Sequence, residues 1–195
     1  MSGGRLIAVV GPSGVGKDSV MEGLHQAVPA THLVRRVITR APGLGGEAYD
    51  AVSPEQFESM VQDEAFAVHW TAHGLSYGIP RTVQGHLAQG TDCLVNFSRG
   101  ALARAAQVFP RLVVLNITAT PETLAERLAA RGRESAADIA KRLAQAEKPL
   151  PDGLPVIHLS NDGALPQTVA RATAQLFPEH PARPTRSPHQ SETTP

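Results

Sequence analysis

A chain of 195 residues with 42% hydrophobic content is long enough to bury one sizeable core and fits a single domain. Eighteen basic residues balance eighteen acidic ones, so no overall charge recruits nucleic acid. One cysteine, Cys93, excludes an intrachain disulfide and a cysteine-rich metal site, and no apolar run nears the ~20 residues of a membrane helix.

In chain order, the first expected strand is Leu6–Val10, too short for a signal-peptide core. It runs into Gly11-Pro-Ser-Gly-Val-Gly16-Lys17, and a helix is expected from Lys17 to Gln26. Strand, glycine loop, lysine and helix in that order form a phosphate-binding loop. Glycines let successive N–H groups turn inward toward phosphate oxygens, and the helix N-terminus adds partial positive charge. Gly11, Pro12, Ser13, Gly14, Val15, Gly16, Lys17, Asp18 and Ser19 are therefore the expected contacts to ATP. Lys17 is expected to stabilise the phosphoryl group in transfer. The position after the lysine, where Ser or Thr ordinarily binds Mg²⁺, is Asp18. Its carboxylate is read as a ligand of Mg²⁺, with capping of the helix as the alternative.

Leu33–Ile38 reads as a second strand, carrying Arg35 and Arg36, with Arg40 just beyond. Ser53-Pro-Glu-Gln56 has the form of a capping box, and Phe57, Met60 and Val61 follow at helical spacing. Cys93–Asn96 is expected to be a strand with a buried thiol, and its polar end, Asn96 and Ser98, lies where parallel sheets bind ligands. Leu112–Ile117 and Val156–Leu159 complete five strands, with helices starting at Thr120-Pro121 and at Ser135-x-x-Asp138. Runs without clean alternation, separated by helices, argue for an α/β fold with a five-stranded parallel sheet flanked by helices. From Pro178 the chain is proline-rich and aperiodic and reads as a disordered tail after a domain of residues 1–177.

The chain has no Asn-Lys-x-Asp motif of GTPases, no signature of ATP-binding cassettes and no catalytic loop of protein kinases. A small kinase with an arginine-bearing lid remains. Leu124-Ala-Glu-Arg127-Leu-Ala-Ala-Arg131-Gly-Arg133-Glu134 fits the start of such a lid, placed at about residues 127–147. Arg127, Arg131, Arg133 and Arg142 are the expected catalytic cations beside Lys17, because arginine forks stabilise charge spread over phosphoryl oxygens.

Gly11–Lys17, Thr39-Arg40-x-Pro42, Gly46-Glu47, Val52-Ser53-x-Glu55-x-Phe57, His73-Gly74-x-x-Tyr77-Gly78-x-Pro80 and Arg127-Leu-x-x-Arg131-Gly-Arg-Glu134 resemble the guanylate kinase family in order. The resemblance implies a substrate subdomain over about residues 39–85. Phe66-Ala-Val-His-Trp-Thr71 lacks the acidic residue with which that family reads guanine, and a site stripped of polar partners rejects its base. Lys17-Asp18-Ser19, Arg35-Arg36-Val-Ile-Thr-Arg40, Gly45-Gly46-Glu47, Trp70-x-Ala72-His73-Gly74 and Asn96-x-Ser98-Arg99 resemble instead a branch of the family, the ribose 1,5-bisphosphate phosphokinases. Tyr49, where that branch has histidine, and Phe97, where it has a small residue, depart from its pattern.

The resemblance implies transfer of a phosphoryl group from ATP, with Mg²⁺, to ribose 1,5-bisphosphate, giving 5-phosphoribosyl 1-diphosphate. The alternative is a guanylate-type nucleoside monophosphate kinase. Arg36, Arg40 and Arg99 are the expected anchors for the sugar's phosphates, with Glu47, Tyr49, His73, Tyr77, Asn96 and Ser98 as further substrate contacts. The acceptor is a phosphate oxygen, so no general base is expected. A cytoplasmic protein is expected, without nucleic-acid or membrane partners, and with a homodimer among the assemblies open to it.

Overall fold

The computed structural model describes residues 3–41, 47–130 and 149–179. Arg131, Arg133, Arg142, the helix signal at Ser135 and the tail from residue 180 lie outside the described residues. Five strands form a parallel sheet: β1 (Leu6–Val10), β2 (His32–Leu33), β7 (Cys93–Asn96), β8 (Leu112–Thr118) and β9 (Val156–Ser160). Their spatial order is β2-β7-β1-β8-β9, so β1 lies at the centre and its end is flanked by the ends of β7 and β8. That edge is where open parallel sheets build ligand sites.

Alternate residues of β1 enter two different cores. Ile7 and Val9 pack with Val20 and Leu24 of α1 (Lys17–Ala27), Leu124 of α5 (Pro121–Ala130) and Leu176 of α6 (Leu165–Leu176). Leu6, Ala8 and Val10 face the other way, toward Leu102 and Ala105 of α4 (Leu102–Val108) and Val83 of α3 (Val83–Ala88). Burial on both faces explains why the strands read as unbroken apolar runs rather than alternating ones.

The second face has an additional cover. A four-stranded sheet of order β4-β3-β6-β5 contributes Val68 and Ile79 to that core. Its strands are β3 (Arg36–Ile38), β4 (Tyr49–Ala51), β5 (Phe66–Ala72) and β6 (Leu75–Pro80). β3 pairs in parallel with β4 and antiparallel with β6, and β5 and β6 form a hairpin. On the outer side α2 (Pro54–Gln62) lays Phe57 against Phe66, with ring centroids 4.7 Å apart. The capping box of α2 is present, with the Ser53 and Gln56 side chains each accepting from the other's backbone N–H.

The single strand expected over Leu33–Ile38 is two strands in two sheets. Val34 still donates its N–H to Leu94 of the main sheet. Arg35 then turns outward, and Arg36 enters the small sheet, where Glu47 supplies its counter-charge. Six elements were not expected: β4, β5, β6, α3, α4 and α6. The run Phe66-Ala-Val-His-Trp-Thr-Ala72 has neither clean alternation nor a helical stripe. In α6 the buried Thr168 and Thr173 interrupt the apolar stripe, and Thr173 satisfies its hydroxyl on the Val169 carbonyl inside the helix. Among the described residues, no helix is long and apolar enough to cross a membrane.

Candidate active site

The phosphate loop joins β1 to α1 and is shaped by its glycines. Gly16, the residue before α1, has φ 93°, a conformation that side-chain-bearing residues rarely adopt. A Cβ on it would also stand 2.7 Å from Nδ2 of Asn161. That nitrogen instead donates to the Val15 carbonyl at 2.7 Å. Nη1 of Arg127 donates to the same carbonyl at 3.3 Å. The turn after β9 and the helix α5 thus both brace the loop from outside, and Leu128 of α5 packs over Gly14.

Lys17 lies across the loop, Nζ donating to the carbonyls of Gly11 at 3.0 Å and Pro12 at 3.1 Å. Burial pushes its ammonium down from 10.5 to about 8; Asp18 and Glu47 oppose the shift, while Arg36 and Arg99 add to it. Those four residues therefore share the electrostatic neighbourhood of Lys17, although they come from α1, strand β3, the segment before β4 and the turn after β7. Asp18 accepts from Nδ2 of Asn96 at 3.0 Å, so the polar end of β7 orients the carboxylate at the start of α1. Ser19 is exposed on the same helical turn.

In the small sheet, Arg36 is 7% exposed and forks onto Glu47, Nε to Oε2 at 3.1 Å and Nη2 to Oε1. Its guanidinium lies over the ring of Tyr77 at 5.0 Å and of Trp70 at 5.9 Å. The two rings are register partners in the hairpin and stack at 5.5 Å, and Phe97 stacks on Trp70 at 4.9 Å. Phe97, a departure from the expected pattern, thus joins the end of β7 to the small sheet. Five N–H groups on a guanidinium exceed what one carboxylate takes, so Arg36 keeps donors beyond those given to Glu47.

Arg40 lies over the ring of Tyr49 at 5.6 Å, and the Tyr49 hydroxyl donates to the Ala41 carbonyl at 2.7 Å. Thr39 pairs with Ser76 of β6 through backbone and hydroxyl, which fixes where Arg40 leaves the sheet. Arg99 follows β7 on a short 3-10 turn, with burial lowering the affinity of its guanidinium for the proton. Ser98 stands just before that turn, and its carbonyl accepts from Ala101.

His73 occupies a different position. It and Gly74 form the two-residue turn of the β5–β6 hairpin, both with positive φ, and His73 is exposed. The turn conformation by itself accounts for this pair. Cys93 is buried, as expected, and burial raises its thiol to about 11, which removes it from nucleophilic chemistry.

Two asparagines of the site escaped the sequence reading. Asn161 belongs to Ser160-Asn-Asp162 at the carboxyl end of β9, and polar residues at that edge are a signal in themselves. Asn116 interrupts the apolar run of β8 and is only 7% exposed.

A parallel sheet with a glycine phosphate loop at its centre, a buried lysine across the loop and a cation-lined second subsite define a P-loop kinase. The guanylate kinase family model matches residues 3–153, and the chain belongs to that family. The fold agrees with the guanylate kinase of Anaplasma phagocytophilum, at TM-score 0.63 and 19% identity over 92% of this chain and 88% of that one.

Within the family, two relatives that match over nearly their full length share a name. The ribose 1,5-bisphosphate phosphokinase PhnN of Ruegeria sp. (strain TM1040) is 52% identical, covering 90% of this chain and 93% of that protein. The protein of the same name from Azotobacter vinelandii is 47% identical, covering 90% of this chain and 96% of its own.

Proposed function

We propose that this chain is a ribose 1,5-bisphosphate phosphokinase. It transfers the γ-phosphoryl group of ATP to the 1-phosphate of the sugar, yielding ADP and 5-phosphoribosyl 1-diphosphate. The carrying observation is the convergence of Lys17, Arg36 and Arg99, from three elements, beside a phosphate loop in a chain about half identical to enzymes of that name. A sugar with a phosphate at each end needs cations rather than a base-reading carboxylate. The segment that reads guanine elsewhere in the family here puts Val68 in the core and Thr71 in solvent.

In the reaction, an oxygen of the 1-phosphate attacks the γ-phosphorus while the bond to the β,γ-bridging oxygen breaks and ADP departs. The attacking oxygen is already anionic at neutral pH, so no side chain has to take a proton. The loop N–H groups and Lys17 bind the triphosphate, Lys17 leaving the loop carbonyls for phosphate oxygens. Arg127, with Arg131, Arg133 and Arg142 of the lid, stabilises the charge of the transferring group. Arg36, Arg40 and Arg99 bind the sugar's phosphates, Arg36 keeping Glu47 beside it to accept from ribose hydroxyls. Tyr77, Tyr49, Ser98 and Asn96 complete the acceptor side.

Mg²⁺ fits beside Asp18, a hard-oxygen donor turned by Asn96 at the start of α1, and would there screen the triphosphate charge. A coupled ADP-release assay with ribose 1,5-bisphosphate and GMP in parallel tests the reading. Turnover of the sugar bisphosphate is expected, and turnover of GMP alone would sink it.

A further inference from the structure

Arg99 and Asn116 meet over the end of the central strand. Nη2 of Arg99 donates to Oδ1 of Asn116 at 3.4 Å. Arg99 follows β7 and Asn116 is on β8, and β1 stands between those strands. Val9 is level with Asn96, and Val10 with Asn116. The arginine therefore spans the strand end from which Gly11 and the phosphate loop spring.

Asn116 is placed at a cost. It lies between Leu115 and Ile117, both fully buried, in an otherwise apolar strand. A buried amide in such a strand is tolerated only if its polar ends are used. Both are. Nδ2 faces Nδ1 of His158, its register partner on β9, at 3.2 Å. With that ring nitrogen accepting, the amide presents its carbonyl oxygen, not its NH₂, to the arginine.

The choice of amide has an electrostatic consequence. Arg36 has a carboxylate partner, Glu47, whereas Asn116 holds Arg99 with a neutral oxygen. A neutral acceptor fixes a long side chain without itself adding a counter-charge to it.

We propose that Asn116 is a positioning residue, which aims the Arg99 guanidinium at a phosphate of the acceptor, and that His158 sets which end of its amide faces the arginine. This rests on the acceptor role given to Arg99 above.

Steady-state kinetics of the full chain with ATP and ribose 1,5-bisphosphate test it. Asn116→Ala is expected to raise the acceptor KM about tenfold and leave the ATP KM within about twofold, the signature of an interaction made to one substrate only. Combined with Arg99→Ala it should add nothing further, because both changes remove one interaction. Asn116→Asp keeps an acceptor oxygen but adds a negative charge where the acceptor's phosphate would approach, so it too should raise the acceptor KM. His158→Ala alters an exposed residue, and about a threefold rise is expected that vanishes in the Arg99→Ala background.

If Asn116→Ala does not fold, the His158→Ala pair decides: a rise confined to the Arg99 background supports the proposal and no rise overturns it. Multiplying effects of Asn116→Ala and Arg99→Ala, or equal rises in both KM values, also overturn it while leaving Arg99 as an anchor. An unchanged acceptor KM in Arg99→Ala would overturn the anchor role and this proposal together.

Discussion

The two sheets build their halves of the site from different materials. At the end of the parallel sheet, the proposed phosphate subsite is mostly backbone: left-handed glycines and a helix start, with Lys17 laid across. In the small mixed sheet, the proposed acceptor subsite is side chains on a stack of rings, with Arg36 held by Glu47 over Tyr77 and Trp70. A backbone site suits any triphosphate, because its shape is independent of side-chain identity around it. A side-chain site can change its substrate by changing a few residues. This contrast explains how a family member keeps its donor half while its guanine-reading segment turns to core and solvent.

The largest effect expected from this division is at Lys17. Lys17→Ala should lower kcat more than about 100-fold, on the order of 3 kcal/mol for one lost transition-state contact, whatever the acceptor. A loss confined to one acceptor would break the division between a general half and a selective one. Melting curves unchanged from the parent would show that the loss is chemical.

Arg36→Ala sharpens the other half. It leaves the Glu47 carboxylate partly buried without its fork, a loss of about 3 kcal/mol in urea unfolding by the precedent of broken buried pairs. ATP affinity by calorimetry should not move. If Arg36→Ala weakens ATP as much as the sugar, the halves are one electrostatic unit.

A smaller effect comes from pH. The Lys17 ammonium titrates at about 8 in the folded chain and near 10.5 when unfolded. Below about 8 both states are charged and folding bears the full burial cost. Between about 8 and 10.5 only the folded chain has lost the proton, so this group's contribution to stability rises with pH across that window. ATP binding runs the other way, since phosphates need the ammonium. The Kd for ATP should rise above pH 8, and binding near that pH should take up protons, seen as a calorimetric enthalpy that depends on the buffer. A flat Kd from pH 7 to about 9.5 would remove Lys17 as the group that sets this edge.

How much of this was legible differs between the halves in the same way. The phosphate loop, its strand and its helix stand in consecutive residues, and the strand and helix form at Leu6–Val10 and Lys17–Ala27. The capping box at Ser53 was equally local. Arg36 and Arg99 could be named as candidates from resemblance, but nothing in their spacing says that one is held by Glu47 and the other by Asn116. The break between Leu33 and Arg36 was hidden because both halves of that run are buried, each in its own sheet.

The sequence by itself determined four of the five parallel strands, the phosphate loop and the class of chemistry, because each follows from contiguous residues whose period or backbone freedom admits few alternatives. Only the tertiary structure decided that Arg36 is held by Glu47, that Phe97 ties the two sheets together through Trp70, and that Asn161 and Arg127 brace the loop through one carbonyl. Those contacts join residues 11 to 146 positions apart, and their existence depends on strand order and register, which no local pattern encodes.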